Sequence, residues 1–371
     1  LKYLRYLLIF VPLSVAAELL HWDPLVIFGF SCIALVPLAG LLGEATEELA
    51  IHTGPKVGGL LNATLGNAAE LIITIVALNA GKLDLVKASI TGSILGNLLL
   101  ILGASLLLGG LKNGIQRFDR GLAGMSATMM LLAVIGLIIP TLFEFVHEIQ
   151  LGQLDLFNTS VSDPALDNLS LWVAGILIVL YILSLIFTFQ SPEHREPVGV
   201  EDHSAEEAAH QAKWSVPVSV GVLGVSTIAI VFLSEFLVGA VEPVVASLGV
   251  SELFLGVIII PIVGNVAEHI VGVQVAYKNK MDLSLAISLG SSMQVALFVA
   301  PLLVFISLLF GQELTLFFSL LEVAALALSV MIAAQVSVDG ESNWLEGVQL
   351  LAVYLIAALG FYFTGALAPG T

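Results

Sequence analysis

Apolar residues along this chain come in long runs, and the polar residues gather in short breaks between them. Eleven runs stand out, near residues 4–20, 25–50, 57–80, 84–109, 121–145, 169–189, 215–246, 252–277, 281–309, 314–336 and 344–366. A helix needs roughly 20 predominantly apolar residues to cross the hydrocarbon core of a bilayer. The pattern therefore predicts an all-α polytopic membrane protein with about eleven transmembrane helices. Hydrophobic residues make up 58% of the 371 and charged residues 11%, with a mean hydropathy of +1.05. A soluble protein keeps about a quarter of its residues charged.

The first run has Lys2 and Arg5 ahead of it and Ala16-Ala17 near its end, as a signal peptide would. No small-x-small cleavage site is followed by a polar mature start, so residues 1–22 are assigned an extra N-terminal transmembrane helix. The lone cysteine, Cys32, excludes a disulfide within one chain and reads as a packing residue of the second helix.

With eleven spans, the N-terminal side holds Lys2, Arg5, Lys56, Lys112, Arg117, Arg120, Arg195, Lys213, Lys278 and Lys280, and the opposite side only Lys82 and Lys87. Basic residues collect in cytoplasmic loops, which places the N-terminus in the cytoplasm and the C-terminus outside. The net charge of −17 does not alter this, because acidic residues weigh little in that rule. Short loops point to a prokaryotic cell membrane, with a vacuolar-type membrane as the alternative.

Gly66-Asn67-Ala68-Ala69-Glu70 recurs with one change as Gly264-Asn265-Val266-Ala267-Glu268, 198 residues on. The same shift aligns 62–103 with 260–301 without a gap and gives about a dozen identities. Lys82-Leu83-Asp84-Leu85 falls on Lys280-Met281-Asp282-Leu283, Gly92-Ser93 on Gly290-Ser291, and Glu44 on Glu242. Five spans separate equivalent helices, and an odd number inverts the second copy. Two inverted five-helix repeats are expected, over 25–189 and 214–368, a plan common among secondary transporters. Between them, 190–213 is an acidic cytoplasmic linker with Glu193, Glu196, Glu201, Asp202, Glu206, Glu207, His194, His203 and His210. It lacks EF-hand spacing. The 146–168 stretch carries Glu148, Asp155, Asp163 and Asp167 without Lys or Arg and reads as an outside loop.

A glutamate at mid-bilayer depth is costly and marks function by default. In the third helix Gly66 loosens the backbone beside Asn67, and freed carbonyls with Glu70 offer hard oxygen ligands. Gly264, Asn265 and Glu268 are expected to supply the same set from the eighth helix. Two facing carboxylates neutralise a divalent ion, and Ca²⁺ accepts six to eight oxygens in a flexible cage. Ser93 and Asn97, four apart, share one face of the fourth helix, and Ser291, Ser292 and Gln294 offer neutral groups from the ninth. Val295 stands where symmetry with Asn97 would want an amide. An empty pair of ionised glutamates is poorly solvated and repels itself, so the pair holds either a cation or protons. Exchange without leak follows if the empty charged site does not cross.

His269, next to Glu268, is a candidate for proton relay or gating, or a hydrogen-bonded packing residue. Glu44 and Glu242 are candidate entrance carboxylates, while Glu47 and Glu48 fit either that role or helix-end solvation.

The stretch 58–72, Gly-Gly-Leu-Leu-Asn-Ala-Thr-Leu-Gly-Asn-Ala-Ala-Glu-Leu-Ile, resembles the first signature repeat of the Ca²⁺/H⁺ antiporter (CAX) family. Pro-Ile-Val-Gly-Asn-Val-Ala-Glu-His at 261–269, with 280–283 and Gly-Ser-Ser-Met-Gln at 290–294, resembles the second. The resemblance covers nearly the whole chain. It implies calcium moved out of the cytosol by a proton gradient, with Glu70 and Glu268 as the ion-binding carboxylates and Asn67, Asn265, Ser93, Ser291 and Gln294 nearby. A Na⁺/Ca²⁺ exchanger shares the repeat plan, but extra carboxylate or hydroxyl ligands would be expected in place of Gln294 and the Glu268-His269 pair. A cation channel would move ions without counterflux. His-Glu-x-x-His does not occur, so no enzyme is expected. The expected partners are Ca²⁺, protons and the lipid bilayer, with no cofactor and no nucleic acid. The sequence sets no oligomeric state.

Overall fold

The computed structural model describes residues 4–151, 163–190 and 212–364. The acidic linker falls almost wholly outside them, as does Asp155. A 3₁₀ turn over Leu4–Ile9 leads into α1 (Phe10–Leu19), and α2 runs over Pro24–Gly54. Asp23 caps α2 by accepting from the Leu25 N–H at 2.8 Å. Gly54 (φ 80°, ψ 170°) ends it in a conformation that an L side chain resists. α3 is a bent pair, Val57–Leu65 and Ala68–Asn79. Then come α4 (Leu83–Asn113), α5 (Arg120–Leu151), α6 (Pro164–Gln190), α7 (Val216–Leu248), α8 (Glu252–Tyr277), α9 (Met281–Leu309), α10 (Leu320–Val336) and α11 (Trp344–Thr364).

Among the described residues eight helices are long and apolar enough to cross a membrane, or nine when the bent pair counts as one span. Each of the eleven apolar runs contains a helix, but α1 and α10 are shorter than a usual span. For α10 the reason is local. Ser319 Oγ accepts from the Glu322 N–H at 3.3 Å, and Glu322 Oε2 accepts from the Ser319 N–H at 2.9 Å. This capping box starts the helix at Leu320 and not at 314 as expected. The preceding extended segment is buried: Leu314, Leu316, Phe317 and Phe318 are each 3% exposed or less. Its amides are met by hydroxyls from three helices. The Leu314 N–H donates to Ser307 Oγ (3.2 Å), Leu316 N–H to Ser170 Oγ (3.1 Å) and Phe318 N–H to Thr141 Oγ1 (2.9 Å). Irregular backbone is tolerated in a membrane protein where protein buries it in this way.

Packing divides the chain into two units. One holds Leu1–Ala77, Ile182–Leu248 and Ile262–Ile270; the other holds Leu78–Tyr181, Gly249–Pro261 and Val271–Thr371. Neither unit is one of the sequence repeats, since each joins equivalent helices from both halves. In the first unit α2 packs along α7, with α1 against both. In the second, α11 lies on the end of α4, α10 on α5, and the first part of α4 on the start of α8. That last crossing is tight. A Cβ on Gly92 would collide with the Val257 carbonyl and lie 2.6 Å from Pro261 Cγ, whereas nothing stands within 4 Å of one on Gly290.

The links between helices pair off within each unit. In the second, Gln116–Arg117 forms a short antiparallel ribbon with Glu341–Ser342. Gln116 Nε2 donates to the Ala276 carbonyl at 2.8 Å, and the Asp119 N–H donates to Asp282 Oδ1 at 2.6 Å. The α4–α5, α8–α9 and α10–α11 links therefore meet. In the first unit His52 Nε2 lies 2.7 Å from the Trp214 carbonyl, joining the α2–α3 and α6–α7 links.

One expected loop charge is not in a loop. Lys87 was counted on the outer side, but it sits in α4 and is 4% exposed, with its ammonium 5.9 Å from the centre of the Phe317 ring. Asp84 and Glu322 are the anionic groups acting on it.

Candidate cation site

The two motif copies fold differently. In the first copy α3 breaks at Gly66-Asn67. The Gly66 N–H closes the first segment on the Asn62 carbonyl at 2.8 Å, and the Leu71 N–H opens the second on Asn67 at 3.0 Å. The segments meet at 41°. Glu70 lies in the first turn of the second segment, where a helix favours negative charge.

In the second copy the helix runs unbroken over Ile260–Tyr277, through Gly264, Asn265 and Glu268. The expected loosening at Gly264 is therefore absent, and its carbonyl stays inside regular helix. The irregularity comes one turn earlier, as a π turn over Leu255–Ile259 that ends beside Pro261, a residue with no N–H to donate. Gly264 serves close approach instead: a Cβ there would lie 3.2 Å from Glu70 Cγ and 3.9 Å from Ile73 Cδ1.

The copies meet at that point. Asn265 Nδ2 donates to Glu70 Oε1, and both residues are nearly sealed from solvent, 3% and 4% exposed. An amide donor on a carboxylate is a charge-assisted bond, stronger than a neutral one. Asn67 is buried as well, at 5%. Glu268 is half-buried, and its Oε2 is shut off from solvent, as is that of Glu70. His269 follows with its Nε2 buried and no hydrogen-bond partner among the described residues. Thr74 Oγ1 donates to the Glu70 carbonyl at 2.8 Å and bridges the turn below it.

The second unit carries the other predicted groups. Ser93, Asn97, Ser291 and Ser292 are buried and Gln294 is half-buried. Asn97 Nδ2 donates to Ser291 Oγ at 3.0 Å. Asn97 thus crosses to the residue equivalent to its own neighbour Ser93, and Val295, where Asn97 maps, has no amide to return the bond. Asn97 Oδ1 has no hydrogen-bond partner among the described residues. Ser292 instead donates back to the Ser288 carbonyl at 2.9 Å, within its own helix. Both helices carry a π turn here, Gly96–Ile101 and Val295–Val299.

The candidate entrance carboxylates differ from each other. Glu44 is paired with Arg5 at 2.8 Å, with 19% of its side chain exposed, whereas Glu242 is exposed on α7. Glu47 is exposed. Glu48 is buried and accepts from the Lys213 and Trp214 N–H groups at 2.9 and 3.1 Å, so it anchors the chain entering α7. Sequence reasoning missed the buried group around Glu322, which takes a hydrogen bond from Thr91 Oγ1 at 3.1 Å and one from Ser319 Oγ at 2.7 Å. Ser319 and Glu322, three apart ahead of an apolar run, were the signal for it.

Fold and site define a class: a nearly all-helical integral membrane protein in which two copies of an acidic motif come together. The sequence profile described as "Sodium/calcium exchanger protein" matches residues 24–190 and 218–363, and the chain belongs to that family. It is 44% identical over 366 residues to the "Ca(2+)/H(+) antiporter" of Aphanothece halophytica, covering 96% of this chain and 95% of that one. It is 41% identical over 353 residues to the "Ca(2+)/H(+) antiporter ChaA" of Bacillus subtilis strain 168, covering 95% and 96%. The structure of native YfkE superposes with a TM-score of 0.81 at 39% identity, over 97% of this chain and 99% of that one.

Proposed function

We propose that this chain exchanges Ca²⁺ for protons across a membrane by alternating access, with Glu70 and Glu268 holding either the metal or protons. The observation that carries the reading is the hydrogen bond from Asn265 to Glu70, which brings the two motif copies together at a buried carboxylate. The names of the relatives supply the cargo. Hard oxygen donors suit Ca²⁺, and the break at Gly66-Asn67 offers backbone oxygens beside Glu70. Desolvation disfavours a bare carboxylate, and a cation or a proton relieves it. If only the loaded site reorients, the two fluxes are coupled. Ser93, Asn97, Ser291 and Gln294 are assigned as neutral ligands or proton-path groups and His269 as a proton relay. Glu44 and Glu242 are assigned as entrance carboxylates, with Arg5 holding the first.

The repeats are read as two inverted five-helix halves, 25–189 and 214–368, joined by the cytoplasmic linker 190–213 and preceded by a separate helix over 1–22. With α1 and α10 counted as passes, every link-to-link contact described within a unit joins links that an up-and-down path puts on one side. That agreement supports an up-and-down path that puts these links on the N-terminal side. The excess of Lys and Arg counted on that side is the ground for reading it as cytoplasmic, with an outer C-terminus, a prokaryotic cell membrane and Ca²⁺ leaving the cytosol.

The test is proton flux from proteoliposomes on addition of Ca²⁺, with Glu70→Gln and Glu268→Gln measured separately. Both variants are expected to lose coupled flux. Retained exchange in either, calcium flux without proton counterflux, or exchange driven by a Na⁺ jump but not a pH jump would each overturn the reading.

A further inference from the structure

We propose that Glu144, His147 and Asp163 form a second metal site, one that takes a divalent ion of the zinc class and not Ca²⁺. Glu144 and His147 are three residues apart on one face of α5. Asp163 stands just ahead of α6, where its Oδ1 accepts from the Ala165 N–H at 2.8 Å and caps the helix. The cap holds Oδ2 toward His147, 2.9 Å from Nδ1. Glu144 Oε1 lies 3.9 Å from the same nitrogen. One ligand atom from each of the three residues falls within 4.8 Å of the others. Donors about 2.0–2.2 Å from a tetrahedral zinc ion lie roughly 3.3 Å apart, so small side-chain rotations would close the triangle on an ion.

Burial supplies an independent sign. Glu144 keeps 2% of its side chain exposed, and its Oε2 has no hydrogen-bond partner among the described residues. The charged groups acting on it are Asp163, Glu148 and His147, and those acting on the neighbouring Asp167 are Glu313 and Asp163. No lysine or arginine is among them. A carboxylate sealed among other carboxylates, with an imidazole as its one basic neighbour, is a setting that a divalent ion stabilises.

The donor set selects the ion. Ca²⁺ wants six to eight oxygens and gains little from an imidazole, whereas one imidazole with two carboxylates suits zinc and its first-row neighbours. His147, at 40% side-chain exposure, gives the ion a way in. An ion there would tie the end of α5 to the start of α6. The site stands apart from Glu70 and Glu268 in the sequence and in chemistry, so the inference does not depend on the transport reading.

The test is Zn²⁺ binding to the purified full chain, without a histidine tag, in excess Ca²⁺. His194, His203 and His210 are replaced by Gln throughout to remove rival imidazoles. One Zn²⁺ per chain is expected, bound at least tenfold more weakly after His147→Gln or Asp163→Asn, with calcium-driven proton flux in zinc-free buffer unchanged. His147→Cys keeps a ligand, so it should retain binding and give the Co²⁺ adduct a thiolate charge-transfer band. No binding, equal binding in the His147→Gln and Asp163→Asn variants, displacement by Ca²⁺, or a Co²⁺ adduct of the Cys variant without that band would overturn the proposal.

Discussion

Asn265 and Glu70 are 195 positions apart in sequence and share a buried hydrogen bond, the amide of one motif copy donating to the carboxylate of the other. Asn265→Ala removes that donor from Glu70. A hydrogen bond to a charged group contributes about 1.5–3 kcal/mol. The Ca²⁺ concentration for half-maximal uptake is expected to rise by roughly tenfold or more, a factor of ten being about 1.4 kcal/mol. Uptake measured against Ca²⁺ in vesicles checks it, and an unchanged midpoint would separate the amide from the ion.

Gly92 and Gly290 occupy matching positions and face opposite fates. Gly92→Ala drives a methyl into the Val257 carbonyl across the α4–α8 crossing, while Gly290→Ala enters open space. Overpacking of this kind costs about 1–3 kcal/mol or more, and a change in open space stays within about 0.5 kcal/mol. Thermal unfolding of both proteins in one detergent should show a clear drop for the first and almost none for the second.

The Asn97–Ser291 bond calls for a double-mutant cycle. Asn97→Ala, Ser291→Ala and the double variant are expected to give a coupling of about 1 kcal/mol in stability. Additive effects would show that the 3.0 Å contact carries no energy of its own.

Lys87 and Glu322 are both buried and act on each other electrostatically. Removing one partner of a buried pair costs about 3–5 kcal/mol, whereas replacing both with apolar groups is often neutral. Lys87→Met and Glu322→Leu should therefore each lower the unfolding midpoint sharply, and the double variant should recover much of it. A double variant worse than either single one would argue that the charges serve transport.

Hydropathy was enough to locate the helices because lipid makes one demand on every span, and that demand is written in composition. It failed at 314–319, where an extended segment buried by protein is as apolar as a helix buried by lipid. Only the Ser319–Glu322 pair distinguishes the two. The repeated motif marked the bend at Gly66 and the two segments that meet through Asn265 and Glu70. It misled at Gly264, because a glycine that breaks a helix and a glycine that admits a neighbour are the same letter. Lys87 was misplaced because a loop lysine and a buried one read alike in sequence, and the Phe317 ring and Glu322 that it meets inside lie far along the chain. Glu144, His147 and Asp163 gave no spacing signal, since their third member comes from beyond the end of α5.

The π turns at Gly96–Ile101 and Val295–Val299 stand at corresponding places in the two halves. A π turn closes on i→i+5 bonds and so takes up one residue more than an α turn. Each helix therefore leaves this turn with its side chains rotated by about 100° from where an unbroken α-helix of 3.6 residues per turn would put them. Deleting one residue from one turn would swing that helix's far end alone, while deleting one from each would swing both and keep the halves matched. At this turn the two helices thus share one phase offset, and a length change in one alone breaks that match.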